Sequence, residues 1–182
     1  MTLISKLHEY AKAGLSNRFW YEESHASASA FCQDHDIPVS EFLAVVAILS
    51  PRVQVSRNVS LAKQYVLSGD TSGIMSQRVR ALEVWKSTGI ISGAKVNAFY
   101  KSLMLDDHAV CIDSHMSRLF GYDGRLMEKT KHWVGRREKA QRVVRRLARQ
   151  WGVKPRQMQA MLWCGYLKSE ASRNSGFGSM EF

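Results

Sequence analysis

Lys95 and Asp113 are the residues of this chain best placed for covalent chemistry. Lys95 follows Gly89 and Gly93, which bracket the short segment Ile90-Ile91-Ser92, and Asp113 comes 18 residues later, just ahead of Ser114 and His115. The two glycines are placed to make a tight hairpin between helices. The N-terminus of the second helix then offers unpaired N–H groups and partial positive charge to a phosphate. An amine and a carboxylate beside such a hairpin are the parts needed to break an N-glycosidic bond. Loss of a base leaves positive character on the deoxyribose, which a carboxylate stabilises while it also activates the nucleophile. A lysine held among cations and apolar walls loses its proton more readily, and its amine can attack C1′ to give a Schiff base. Attack by water instead leaves an abasic site, with Lys95 only a contact. The same residues also have plainer readings, Lys95 as a surface lysine on a helix's first turn and Asp113 as the cap of the helix from Ser114. His115 is expected to hold that helix start or touch a phosphate.

Charge supports a polyanionic partner. The 182 residues, a length that suits one domain, carry 26 Lys and Arg against 16 Asp and Glu, a formal charge of +10. Between Arg125 and Gln157 there are twelve Lys or Arg and two acids, Glu128 and Glu138, so the rest of the chain is neutral in sum. Counterion release rewards cations clustered along phosphates. A polyanion is therefore the expected partner of this stretch; the alternative is a solvated helix face.

Other classes are excluded by composition. Apolar residues make up 45% of the chain, too many for a disordered tail, and no apolar run approaches the roughly 18 residues of a membrane span. The opening residues lack the apolar core of an export signal, which points to a cytoplasmic protein; a monomer is expected. Cys32, Cys111 and Cys164 are odd in number and far apart, which suits neither a disulfide framework nor a four-thiolate cluster. His25, His35 and His132 have no metal-ligand spacing, so no zinc site is expected.

The elements that must position Lys95 and Asp113 all read as helices, and the fold class is all-α. Helices are expected at Leu3 to Leu15, Arg18 to His35, and from Pro38 with Ser40 as N-cap. The last carries the all-round apolar stretch Phe42 to Leu49 and stops at Ser50-Pro51. Further helices are expected at Asn58 to Leu67, Met75 to Trp85, Ala94 to Leu105, from Ser114, at Val134 to Trp151 and from Pro155 to Lys168. Ala109 to Ile112 reads as extended and apolar, and residues 169–182, rich in Ser, Gly and Asn, as a flexible tail. Trp20, Tyr21, Trp133 and Trp163 could stack on a base, although each also reads as core.

The segment from Gly89 to Gly121 resembles the helix-hairpin-helix (HhH-GPD) DNA glycosylase superfamily, of the endonuclease III type. The matched features are Gly93-x-Lys95, the step to Ile112-Asp113-Ser114-His115, then Arg118 and Gly121. The resemblance implies a two-lobed helical fold within residues 1–168, one lobe near 36–121 and the other from the N-terminal helices and 122–168, with a cleft between them. It implies Lys95 as Schiff-base nucleophile and Asp113 as catalytic carboxylate, with Gly89, Ser92 and Gly93 gripping a phosphate and a monovalent cation possible at the hairpin. Ala47 to Gln54 looks like the family's helix end and gap-filling loop, which makes Arg52, then Gln54, the candidate wedge. The hairpin Gly89-Ile90-Ile91-Ser92-Gly93 keeps only the last glycine of the usual Leu-Pro-Gly-Val-Gly, and the four-cysteine iron-sulfur segment of many members is missing. The implied function is a DNA glycosylase with abasic-site lyase activity that flips a damaged or modified base out of double-stranded DNA, with Arg136, Arg137, Arg142, Arg145, Arg146 and Arg149 as expected phosphate contacts. The alternatives are an enzyme modifying thymine-derived bases in viral DNA, acting in a host cytoplasm, and a non-catalytic DNA-binding module. The substrate base is not legible in the sequence.

Overall fold

The computed structural model of the chain describes residues 2–123 and 130–173. Among these residues all regular structure is helical: α1 (Leu3–Ala13), a 3-10 turn (Leu15–Asn17), α2 (Trp20–Asp34), α3 (Val39–Leu49), α4 (Val55–Ser68), α5 (Ser76–Thr88), α6 (Ala94–Leu103), α7 (Ser114–Leu119), α8 (Lys131–Gln150) and α9 (Pro155–Arg173). Ala109 to Ile112 is non-helical and buried.

Local chemistry sets the boundaries and corrects several of those expected. Pro38, not Ser40, caps α3: its backbone is extended (ψ 126°) and its carbonyl accepts from Glu41 and Phe42, leaving Ser40 inside the first turn. Every residue from Phe42 to Leu49 is buried, as an all-round apolar helix must be. α4 starts three residues before Asn58, because extended Gln54 already accepts the Asn58 N–H at 2.8 Å. α5 runs past Trp85 until left-handed Gly89 (φ 70°) stops it, and α6 ends at Leu103, two residues before left-handed Leu105 (φ 61°). α8 begins at Lys131 behind extended Thr130, ahead of Val134. α9 continues five residues beyond Lys168, so 169–173, expected in the tail, are helical. Glu170 and Ala171 favour helix. Arg125 and Lys129 of the basic stretch, Gly124 of the expected loop, and residues 174–182 lie outside the described residues.

The buried apolar side chains form two clusters. One joins α2, α3, α4, α5 and α6, with Ala160 of α9; the other joins α1, α7, α8 and α9 with Val110 and Ile112. α9 thus contributes to both. Its start is tied to α2 and to the corner after α6 by buried Arg156, which bridges Glu22 (3.1 Å), Asp107 and the Leu105 carbonyl (2.9 Å). Hydrogen bonds from Lys154 and Arg156 hold the Asp107 carboxyl at about 2. Further along, α9 crosses α1 so closely that Gly165 lies against the backbone at Tyr10, and Gly14 against Met161. Cys32, Cys111 and Cys164 are free thiols.

Candidate active site: a cationic pocket around Lys95 and Asp113

Lys95 is the second residue of α6, just inside the hairpin. Gly89 (φ 70°) and Gly93 (φ 92°) both take left-handed backbone, and nothing lies near enough to crowd a Cβ at Gly89, so conformation and not space demands glycine there. Ile91 between them is buried in the first core while Ile90 is exposed. The Lys95 side chain is half-buried; its Nζ donates to Ser50 Oγ at 2.5 Å and lies 4.9 Å over the Phe99 ring. Ser50 Oγ spends its own proton on the Ala47 carbonyl (2.8 Å), so it meets Lys95 as an acceptor. Burial pushes the Lys95 pKa below its ordinary value, against an opposing pull from Cys111 and Asp113. Cys111 is itself pushed up to about 12 by burial, so it is neutral at pH 7 and Asp113 is the effective counter-charge.

Asp113 caps α7 as the plain reading expects: Oδ1 accepts the Met116 N–H at 2.8 Å. Its other oxygen, Oδ2, accepts the indole N–H of Trp163 at 2.9 Å. Both oxygens are thereby fixed, and among the described residues no ion pair joins Asp113 to Lys95. Both residues line one pocket of about 1430 Å³, close enough for their charges to attract but without a direct ion pair.

The same pocket takes in Arg52, Gln54, Ser92, Gly93, His115 and Arg118, and Arg137 of α8. Arg52, at the turn between α3 and α4, is left-handed (φ 64°), a conformation that is strained for a side chain of this size and clusters at functional sites. Gly89, Arg136, Arg142, Arg145, Arg146 and Arg149 do not line it. The physical reason is helical rotation: α8 buries Ala140, Val144, Leu147 and Ala148, which turns most of its arginines elsewhere. Arg136 lies over the rings of Tyr122 and Trp133, and Trp133 is likewise absent from the pocket wall. Arg145 donates through Nε and Nη2 to the His108 carbonyl, both at 3.2 Å, beside a separate pocket of about 470 Å³.

Sequence reasoning missed Arg78 and Arg80 of α5, Ser50, Phe99 and Gln159, all in the pocket wall. No local signal marks Arg78 and Arg80; helix α5 reads as an ordinary polar helix, and its packing against α3 is a long-range fact. Arg78 Nε is buried without a hydrogen-bond partner, and burial together with the like charge of Arg52 lowers the Arg78 pKa. The pocket therefore gathers six cations, Arg52, Arg78, Arg80, Lys95, Arg118 and Arg137, against one acid, Asp113. Its walls carry Trp20 stacked on Phe99 (6.3 Å between centroids) and tilted against Trp163 (6.2 Å), with buried Tyr21 donating to the Gln159 carbonyl oxygen.

Among the described residues no three His, Cys, Asp or Glu side chains are grouped to hold a metal ion, and no helix is long and apolar enough to cross a membrane. A model described as a family of unknown function (DUF7178) matches residues 5–170. The chain belongs to this family. No curated protein and no solved structure gives a significant match to this DUF7178 member.

Proposed function

We propose that this DUF7178 protein is a glycosylase-like enzyme that binds duplex DNA, draws one nucleotide out of the stack and breaks its N-glycosidic bond. The observation that carries this reading is the convergence of half-buried Lys95 and doubly hydrogen-bonded Asp113 on one cationic, aromatic-walled pocket. In this reading the two core clusters are the two lobes of an HhH-GPD-like fold within residues 1–168, and the pocket is the cleft between them. Extruding a base loses a few kcal/mol of stacking, which phosphate contacts at Arg78 and Arg118 offset while Arg52 or Gln54 fills the vacated space. The base sits among Trp20, Phe99 and Trp163.

The chemistry follows from the pair. Asp113 stabilises the cation that grows on the sugar. The free amine of Lys95 forms a bond to C1′ as the glycosidic bond breaks; the departing base keeps that electron pair and takes up the proton that the newly bonded, positively charged nitrogen gives up. Ring opening gives the imine. Loss of a C2′ proton then expels the 3′ phosphate and nicks the strand, and water returns Lys95 as the amine. A monovalent cation at the hairpin would add to the phosphate grip.

Mass spectrometry of bases released from duplexes carrying oxidised pyrimidines, mismatched bases or hypermodified viral bases tests the reading. One base released in preference to normal thymine is the expected result, and no release from any duplex overturns it.

Two further outcomes are expected. Because burial lowers the Lys95 pKa, the free-amine fraction grows at lower pH than for an exposed lysine. Single-turnover nicking of abasic duplex should rise with pH and level off below the ordinary lysine value of 10.5; a plateau reached only above it contradicts a buried nucleophile. Trp163→Phe keeps a ring but removes the N–H that orients Asp113. A hydrogen bond to a charged group is worth about 1.5–3 kcal/mol, so base release should slow about tenfold or more while the retained ring leaves duplex affinity unchanged; an equal loss in affinity would mean that Trp163 acts through its contact with the base and not through Asp113.

A further inference from the structure

Helix α8 carries a charged surface that the pocket does not use. Lys139, Arg142, Arg146 and Arg149 are spaced by three, four and three residues, and all four are exposed. They form one row along the helix, about 15 Å long at 1.5 Å per residue. α8 meets the pocket through Val134 and Arg137. At about 100° per residue the middle of the row lies about 160° from Arg137 and about 100° from Val134. The opposite side of α8, Ala140, Val144, Leu147 and Ala148, is buried in the second core, which fixes the direction of the row.

This row is compensated little: Glu138, the only acid of α8, lies four residues before Arg142 at the edge of the row, but among the described residues no ion pair involves any of the four cations, which leaves at least three positive charges in excess. Neighbours three and four residues apart on a helix repel when alike in charge, so the row strains α8 until anions face it. Duplex DNA places about one phosphate per 1.7 Å of axis, or about nine along such a row. A bilayer fits less well, because an interfacial helix needs a free apolar side and that of α8 is already in the core.

We propose that this row is a second nucleic-acid surface, so that one molecule holds two duplex segments at once, one across the pocket and one along α8. The pocket half rests on the reading given above; the row does not. The consequence is a protein that can pass between DNA segments without full release.

The test mixes two 20-base-pair duplexes, one with a donor dye and one with an acceptor, with the full chain at low salt, and weighs the complex by sedimentation. Energy transfer within a complex of one protein and two duplexes is expected. Lys139→Gln/Arg142→Gln/Arg146→Gln/Arg149→Gln, which keeps helix propensity, should bind one duplex and give no transfer. Arg52→Gln/Arg78→Gln should do the same from the other side. Undiminished transfer by the fourfold variant overturns the proposal and leaves the pocket reading standing, as does a parent protein that binds a single duplex. A complex of two proteins with two duplexes overturns it too. If the fourfold variant binds no duplex while the pocket variant is unaffected, α8 is the sole surface, and both readings fall. Association with 7:3 phosphatidylcholine–phosphatidylserine vesicles but not with duplex assigns the row to membranes and overturns the proposal. Should the fourfold variant fail a circular-dichroism check of folding, Arg146→Glu alone serves as the same arm, with second-duplex affinity expected to fall roughly tenfold.

Discussion

Asp113→Asn is expected to slow base release by about a thousandfold while lowering the melting temperature by roughly 2–12 °C. The two effects separate because the carboxylate has a structural and a chemical role. Asparagine is as good an N-cap as aspartate, so its carbonyl keeps the bond from the Met116 N–H that starts α7. Its NH2 then meets the Trp163 indole N–H, which now lacks its acceptor. Leaving one such donor unpaired costs about 1–3 kcal/mol. In a domain of this size that is a shift of roughly 2–4 °C per kcal/mol. Chemically the loss is larger. A group aimed at developing charge is worth about 10²–10³ in rate, and a general base about 10²–10⁴. Single-turnover base release with a parallel thermal melt checks both. Undiminished release by a folded Asp113→Asn protein would leave Asp113 with its capping role alone.

The second large effect is on stability. Gly165→Ala should destabilise the fold by about 3 kcal/mol or more. The added Cβ would lie 1.9 Å from the Tyr10 carbonyl oxygen and 2.7 Å from its carbon. Backbone cannot swing aside as a side-chain end can, so α1 must lift from α9, on which it chiefly packs. Overpacking of this kind commonly costs 1–3 kcal/mol and sometimes more. Gly14→Ala meets the Met161 carbonyl at the same 1.9 Å and should cost a similar amount, but the double variant should cost less than the sum, since one displacement relieves both. Urea unfolding measures each. A change below about 1 kcal/mol would mean that the two helices do not meet at this crossing.

Much of the architecture was legible because it rests on local chemistry. The all-round apolar run of α3, the stop at Ser50-Pro51 and the start of α9 at Pro155 need only side-chain size, a ring and a missing N–H. Boundaries set by backbone conformation were less legible. Nothing in the sequence says that Leu105 or Arg52 turns left-handed, and the last turns of α9 depend on Glu170 and Ala171 outweighing the neighbouring serines.

Lys95 and Asp113 line the same pocket, and the short path between them, helix α6 and the buried non-helical stretch 109–112, leaves little choice of route. The cations followed a different logic. A run of arginines on a helix has no address until the buried stripe of that helix is fixed, and the stripe of α8 turns all but Arg137 away from the pocket. The pocket draws its charge instead from α5, through Arg78 and Arg80, scattered residues of a helix with no local mark of function. Trp163 and Gln159 depend on how α9 is seated against α1 and α2, a long-range fact that no local pattern holds.

Borohydride reduction of the protein mixed with duplex DNA containing one abasic site, followed by peptide mapping, tests the central claim most directly. The predicted result is a covalent protein–DNA adduct carried by Lys95 and missing from Lys95→Ala, which should also fail to nick the strand. An adduct at another lysine, or undiminished nicking by Lys95→Ala, would contradict the assignment of this amine as the nucleophile.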